Sequence, residues 1–213
     1  MKLFLFGGAE IDLPSRSVSI LKNLIKETLI RLQPVSILHI PFARLQPVPE
    51  DKGEWDEGWF GKLMAGTGIE ILDARSKSDI DKANESAVFI NGGPERKSLI
   101  DSVNANSQLL KKILNAKYIV AESSGSMAMG EYLRTSRTNS EMMRGFGILK
   151  NVVIEPHYTE RDYKKFLPDD MKNSGMKYGI GIDSATGIIL DPQEFPEKWE
   201  KTGAGNIYIR VNQ

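Results

Sequence analysis

The chain has 213 residues, 28 basic against 28 acidic side chains, two histidines and no cysteine. Its length suits one full-sized domain or two small ones with a proper core, and its zero net charge argues against a nucleic-acid binder, which carries a basic excess. Without Cys there are no disulfide scaffolds, Cys-based zinc sites, iron–sulfur clusters or thiol nucleophiles, and with two His no metal site is expected and any histidine base must be His39 or His157.

Residues 3–6 form an apolar run too short for a signal-peptide core, and they read as a buried strand ended by Gly7-Gly8. No run approaches ~18 apolar residues, so no membrane contact is expected and the cytoplasm is the default compartment. After Pro14, a favoured first helical residue, Ile20, Leu21, Leu24, Ile25, Leu29 and Leu32 make one helical stripe that Pro34 closes. Residues 35–40 are a second strand. A polar loop over 44–54 precedes a helix carrying Trp55, Trp59, Phe60, Leu63 and Met64. Residues 69–72 and 87–90 are further strands, and helical patterns cover about 94–103 and 108–114. Residues 118–121 are a fifth strand, followed by a helix through Met127 to Leu133. Residues 152–155 are another strand. The charged stretch 162–177 carries Pro168 and reads as a long surface loop. The C-terminal part reads as strand and hairpin: 178–182, a turn at 183–187, then 188–190 and 207–211. Alternating apolar runs and helical patterns predict an α/β fold with a mainly parallel sheet and a C-terminal β-hairpin. No repeat or linker divides the chain, so residues 1–213 are read as one domain.

Open α/β sheets bind ligands at the carboxyl ends of their strands. Here those ends carry Gly7-Gly8, Asn91-Gly92-Gly93-Pro94, residues 122–125 and Pro156-His157. Ala121-Glu122-Ser123-Ser124-Gly125 approximates the G-x-S-x-G corner that exposes a nucleophilic serine. The helix that follows would present free amides to developing negative charge, the N–H of Ser124 among them. The bland alternative is a serine that caps this helix. His157 lies in a loop and suits the base a serine needs, with a structural histidine as the alternative. His39 sits inside an apolar run and reads as a half-buried strand histidine. A third group should orient the imidazole. Glu131, Glu141 and Glu155 are the candidates between Ser123 and His157, each otherwise a solvated surface carboxylate. The Gly92-Gly93 turn could supply a second oxyanion donor or simply start a helix. A phosphate cradle is disfavoured, because neither G-x-x-x-x-G-K-[ST] nor G-x-G-x-x-G occurs.

Together these segments resemble the peptidase E family of aspartyl dipeptidases and cyanophycinases, serine peptidases on a class I glutamine-amidotransferase-like (flavodoxin-like) α/β fold with helices on both faces of the sheet. The family's glycine-rich strand end of the G-G-G-N-T kind matches Asn91-Gly92-Gly93-Pro94-Glu95, and its G-x-S-A-G-A elbow matches residues 121–126. Its N-P-H-[FY]-T strand end matches residues 155–159, and its G-[IL]-G-I-D-[ED]-x-T-[AG] segment matches residues 179–187. The resemblance implies Ser123 as nucleophile, His157 as base and Glu141 as the third member. It implies an oxyanion hole from the N–H groups of Gly93 (or Gly92) and Ser124. The implied substrate is a small peptide or isopeptide, cleaved through an acyl-enzyme without cofactor; the expected state is a monomer or homodimer, which no motif in the sequence decides. Aspartyl specificity would need a cation, for which Arg137 and Arg161 are candidates. The elbow departs from the pattern at Ala121, Ser124 and Ser126, and Glu122 adds a carboxylate that, facing the pocket, would repel an acidic substrate and raise the histidine pKa. These departures leave a second reading, a non-catalytic binder of a peptide or acidic ligand. An amidotransferase-type glutaminase is disfavoured, since that chemistry uses Cys at the elbow.

Overall fold

The computed structural model describes residues 1–56, 58–84 and 86–212. In chain order the strands are β1 (Lys2–Phe6), β2 (Ser36–Ile40), β3 (Glu70–Asp73), β4 (Ala87–Ile90), β5 (Tyr118–Glu122), β6 (Tyr132–Arg134), β7 (Met142–Arg144), β8 (Val152–Pro156), β9 (Tyr178–Ile182), β10 (Thr186–Leu190), β11 (Trp199–Gly203) and β12 (Ile207–Val211). The helices are α1 (Val18–Leu32), α2 (Trp59–Met64), α3 (Lys77–Lys82), α4 (Arg96–Asn104), α5 (Ser107–Asn115), α6 (Ser124–Met127) and α7 (Leu167–Ser174).

Side chains alternate across a strand, and β1 displays the consequence. Leu3 and Leu5 join one buried cluster with Leu99, Val103 and Ile113 of α4 and α5. Phe4 and Phe6 join another with Leu21, Ile25 and Leu29 of α1 and Phe60 of α2. A strand covered on both faces has to be apolar throughout, which is why these runs were continuous in the sequence. The sheet they build has the order β11-β10-β1-β5-β4-β2-β3, with its β1-to-β3 part parallel and β10 and β11 antiparallel at one end. A second sheet, β12-β9-β8-β6-β7, packs Val152, Ile154, Ile180 and Ile182 into the same cluster as Leu3 and Leu5. The fold is therefore α/β with mostly parallel strands and helices on both faces.

Three expectations change in detail. The helix after Ser123 is a single turn that stops at Met127, because the chain bends at Gly130 and residues 132–134 enter the second sheet beside β8. A Cβ at Gly130 would stand 2.7 Å from the Val152 carbonyl oxygen, so the bend needs glycine. The stretch 162–177 is not a loop throughout. Leu167 and Met171 of α7 pack on Val153 and Tyr158, with Pro168 in its first turn and Gly175 in a left-handed cap. Finally, β9 and β10 do not pair with each other: residues 183–185 carry the chain between sheets, and the C-terminal strands pair antiparallel as β10 with β11 in one sheet and β9 with β12 in the other.

Candidate active site

The strand ends that converge are those of β1, β4, β5 and β8. Ser123 follows β5 with φ 51° and ψ −119°, a backbone corner that non-glycine residues adopt only under strain. Its N–H donates to the Phe6 carbonyl at 2.9 Å, which pins the corner to the neighbouring strand. His157 follows β8, also at positive φ (52°), and its N–H donates to the Gly7 carbonyl at 3.0 Å. The two corners bring Ser123 Oγ to 3.1 Å from His157 Nε2. Gly8 makes this approach possible: a Cβ there would stand 2.4 Å from His157 Cε1 and Nε2.

The other ring nitrogen faces a carboxylate. His157 Nδ1 lies 2.6 Å from Glu10 Oε1 and 3.0 Å from Ser184 Oγ, and Ser184 Oγ donates to the same carboxylate oxygen at 3.1 Å. Arg161 Nε adds bonds to Glu10 Oε1 and Oε2 at 2.9 and 3.2 Å. Burial would raise Glu10, but its bond and attraction to His157 and the charge of Arg161 outweigh burial and hold it at about 2. Burial, reinforced by the Arg161 charge and opposed by Glu10, pulls His157 down to about 4. The site at neutral pH is thus an ionised Glu10 beside a neutral imidazole. With the proton on Nδ1 toward Glu10, Nε2 is left as acceptor for the serine hydroxyl.

Glu141 is not part of this arrangement. The antiparallel β6–β7 pair holds it exposed at the mouth of the hairpin, where its carboxylate accepts from Thr135 Oγ1 at 3.2 Å. Nor do the other two candidates reach the ring: Glu131 accepts from the Asn151 N–H at 2.8 Å, and buried Glu155 pairs with Arg134 at 2.7 Å. The carboxylate that does reach it, Glu10, precedes the serine in the chain. Its signal was the Gly7-Gly8 strand end, two residues earlier. Ser184 was likewise missed as a site residue, although it lies in the G-I-G-I-D-S-A-T-G segment. That segment braces the histidine loop: Asp183 Oδ1 accepts from Thr159 Oγ1 at 2.9 Å, and the Ala185 N–H donates to the Gly8 carbonyl at 2.7 Å. His39 is half-buried as expected, between Phe60 and Phe89.

The glycine amides also differ from expectation. The Gly92 N–H donates to Glu122 Oε1, and the Gly93 N–H donates to Ser124 Oγ at 2.8 Å. In this arrangement neither is open to a substrate oxygen. The Ser124 N–H opens α6 and has no intrahelical acceptor, so it keeps the capacity to donate.

Ser123 and His157 border a narrow cavity of about 30 Å³ with Ala9, Ile11, Arg44, Asp51, Trp55, Gly93, Glu122, Arg137 and Arg161. Arg44 is paired with Asp51 and Arg161 with Glu10. Among the described residues, Arg137 has no carboxylate at ion-pair distance. Burial and the nearby Arg161 charge lower its pKa, so an incoming anion would relieve both. Among the described residues, no helix is long and apolar enough to cross a membrane.

The fold is that of solved peptidase structures. A peptidase from an acI-B1 Actinobacterium superposes with a TM-score of 0.62 at 20% identity, over 98% of this chain and 89% of that one. A protein of Listeria monocytogenes EGD-e assigned as a peptidase E gives 0.62 at 15% identity, over 96% and 98%. In sequence, a cyanophycinase from Geminocystis herdmanii (strain PCC 6308) is 24% identical over 166 residues, which is 68% of this chain and 59% of that protein. The chain matches Peptidase family S51 over residues 3–197 and belongs to that family.

Proposed function

We propose that the chain is a serine-type peptidase that cleaves a small peptide or isopeptide through an acyl-enzyme. The observation that carries this reading is the line from Ser123 Oγ to His157 Nε2 and from Nδ1 to Glu10, at 3.1 and 2.6 Å. Ser123 attacks the scissile carbonyl, and its proton passes to His157. Glu10 fixes the tautomer and stabilises the imidazolium. The proton then goes to the departing amine, and water repeats the sequence to release the acid. The Ser124 N–H faces the charge that develops on the carbonyl oxygen. Arg137, with Arg161 beside it, suits a carboxylate on the substrate, which favours an acidic residue at the scissile bond.

Labelling with a fluorophosphonate tests the reading. The wild type should label and Ser123→Ala should not, with its circular dichroism unchanged. Labelling that persists in Ser123→Ala removes Ser123 from the role. The engaged Gly92 and Gly93 amides favour a second reading, a non-catalytic binder. That reading predicts saturable binding of an acidic dipeptide with neither labelling nor turnover.

A further inference from the structure

The residue before the serine has no part in the mechanism above, yet it lies at its centre. Glu122 ends β5, is 3% exposed and lines the cavity with Ser123 and His157. Its Oε1 accepts from the Gly92 N–H. Gly92 itself presses on the nucleophile: a Cβ there would stand 2.6 Å from Ser123 Cβ. The carboxyl oxygen therefore stands where another acceptor on the Gly92 amide would, beside the nucleophile, and takes that amide out of use.

An ionised carboxylate there would oppose the reaction, because it would stand beside the oxyanion. The groups facing it are Gly92 from the end of β4, Arg44 after β2 with its partner Asp51, Arg137 after β6, and Arg161 after β8 with its partner Glu10. His157 completes the wall. Among the described residues none of these cations forms an ion pair with Glu122. Burial raises its pKa, against the Gly92 bond and the charges of Arg44 and Arg161. A carboxylic acid kept neutral by its surroundings can donate to an oxyanion.

We propose that Glu122 is a further catalytic residue: a neutral acid whose Oε1 accepts from Gly92 while its O–H donates to the oxyanion, opposite the Ser124 N–H. The inference rests on Ser123 being the nucleophile. As the Ser123 Oγ–carbon bond forms, the carbonyl π pair moves onto oxygen and the serine proton moves to His157 Nε2. The Glu122 proton stays on Glu122, and the hydrogen bond strengthens until the intermediate collapses. A neutral Glu122 also removes the repulsion an acidic substrate would otherwise meet beside the serine.

The test is the rate of inactivation by a fluorophosphonate, followed from about pH 5 to about pH 9. In that reaction the serine oxygen–phosphorus bond forms, fluoride leaves, and the serine proton goes to His157. The wild-type rate should fall on the alkaline side as Glu122 ionises. Glu122→Gln, which cannot ionise, should react more slowly than wild type at acid pH but keep its rate through the alkaline range. Glu122→Ala should be slower by about 100-fold, the loss of one oxyanion donor. An alkaline fall in Glu122→Gln that matches wild type overturns the proposal. So does a Glu122→Ala rate equal to or above wild type, which would make Glu122 a plug on the Gly92 amide. The isosteric Gln variant carries the test if the Ala variant fails to fold. Failure of the hydrolase reading looks different: the wild type does not label, or Ser123→Ala labels as well, and either result takes this proposal with it.

Discussion

Strand β8 ends in two titratable side chains, Glu155 and His157, whose surroundings differ in kind. Glu155 meets Arg134 at 2.7 Å, and Arg134 also meets Asp170 at 3.0 Å, both at ion-pair distance without hydrogen-bond alignment. The guanidinium lies over the rings of Phe166 and Tyr163, and the Arg134 side chain is fully buried. Arg96 sits behind it and donates to the carbonyls of Arg134 and Ser136. This cluster is closed on itself and ties β6, β8 and α7 together. His157, two residues on, belongs to a chain of groups that ends at a cavity. Both its backbone and that of Ser123 are held at positive φ, and its partner carboxylate is shared with an arginine of the cavity wall. Burial of charge is common to the two regions. What separates them is strain and access, the two features that distinguish a candidate functional site from a structural ion cluster.

The comparison can be broken at either region. The largest expected effect is at Glu10. Glu10→Gln should lower kcat by about 10²–10⁴-fold, because the amide lets the imidazole take the wrong tautomer. Urea denaturation at neutral pH should show some loss of stability too, because the fold holds Glu10 ionised through His157 and Arg161, so rates are compared where both proteins are folded. On the acid side, wild-type kcat/KM should hold until pH drops through about 4, where His157 takes up a proton. A fall centred near an ordinary histidine value would mean the base is not buried as described.

Arg134→Met reverses the pattern. It leaves Glu155 and Asp170 buried without their cation and should cost about 3–5 kcal/mol in urea denaturation. If it were no less stable, the cluster would not be what fastens α7. Arg137→Gln should raise KM for an acidic dipeptide by about tenfold with a smaller change in kcat, since it removes binding rather than chemistry. An unchanged KM would place the substrate carboxylate elsewhere. Glu141→Gln is the smallest: steady-state rates should not move, and stability should shift by less than about 0.5 kcal/mol, as for an exposed side chain.

What the sequence revealed and what it hid follow from range. The Ser123 corner and the histidine strand end are local patterns, small residues around Ser123 and Pro-His-Tyr-Thr around His157, so each could be read from a few neighbours. Most strands were legible for the same reason, but β6, β7 and β11 are short or largely polar and left no apolar run to read. Glu10 is a partner 147 positions from His157, and the two meet where the end of β1 touches the end of β8, through the His157 N–H bond to the Gly7 carbonyl. It also lies outside the stretch between Ser123 and His157 that held the sequence candidates for the third member. Helix α7 was hidden because two apolar residues, Leu167 and Met171, carry most of its packing, too few for a visible stripe. The engagement of Gly92 by Glu122 depended on a side-chain direction that no sequence pattern encodes.

The central claim is that Ser123, His157 and Glu10 act as one unit, and its most direct test is a crystal structure of the fluorophosphonate-treated protein. The account predicts phosphorus bonded to Ser123 Oγ, His157 still bridging toward Glu10, and the phosphonyl oxygen between the Ser124 N–H and Glu122. An adduct on another residue, or a His157 ring turned away from both Ser123 and Glu10, would contradict it.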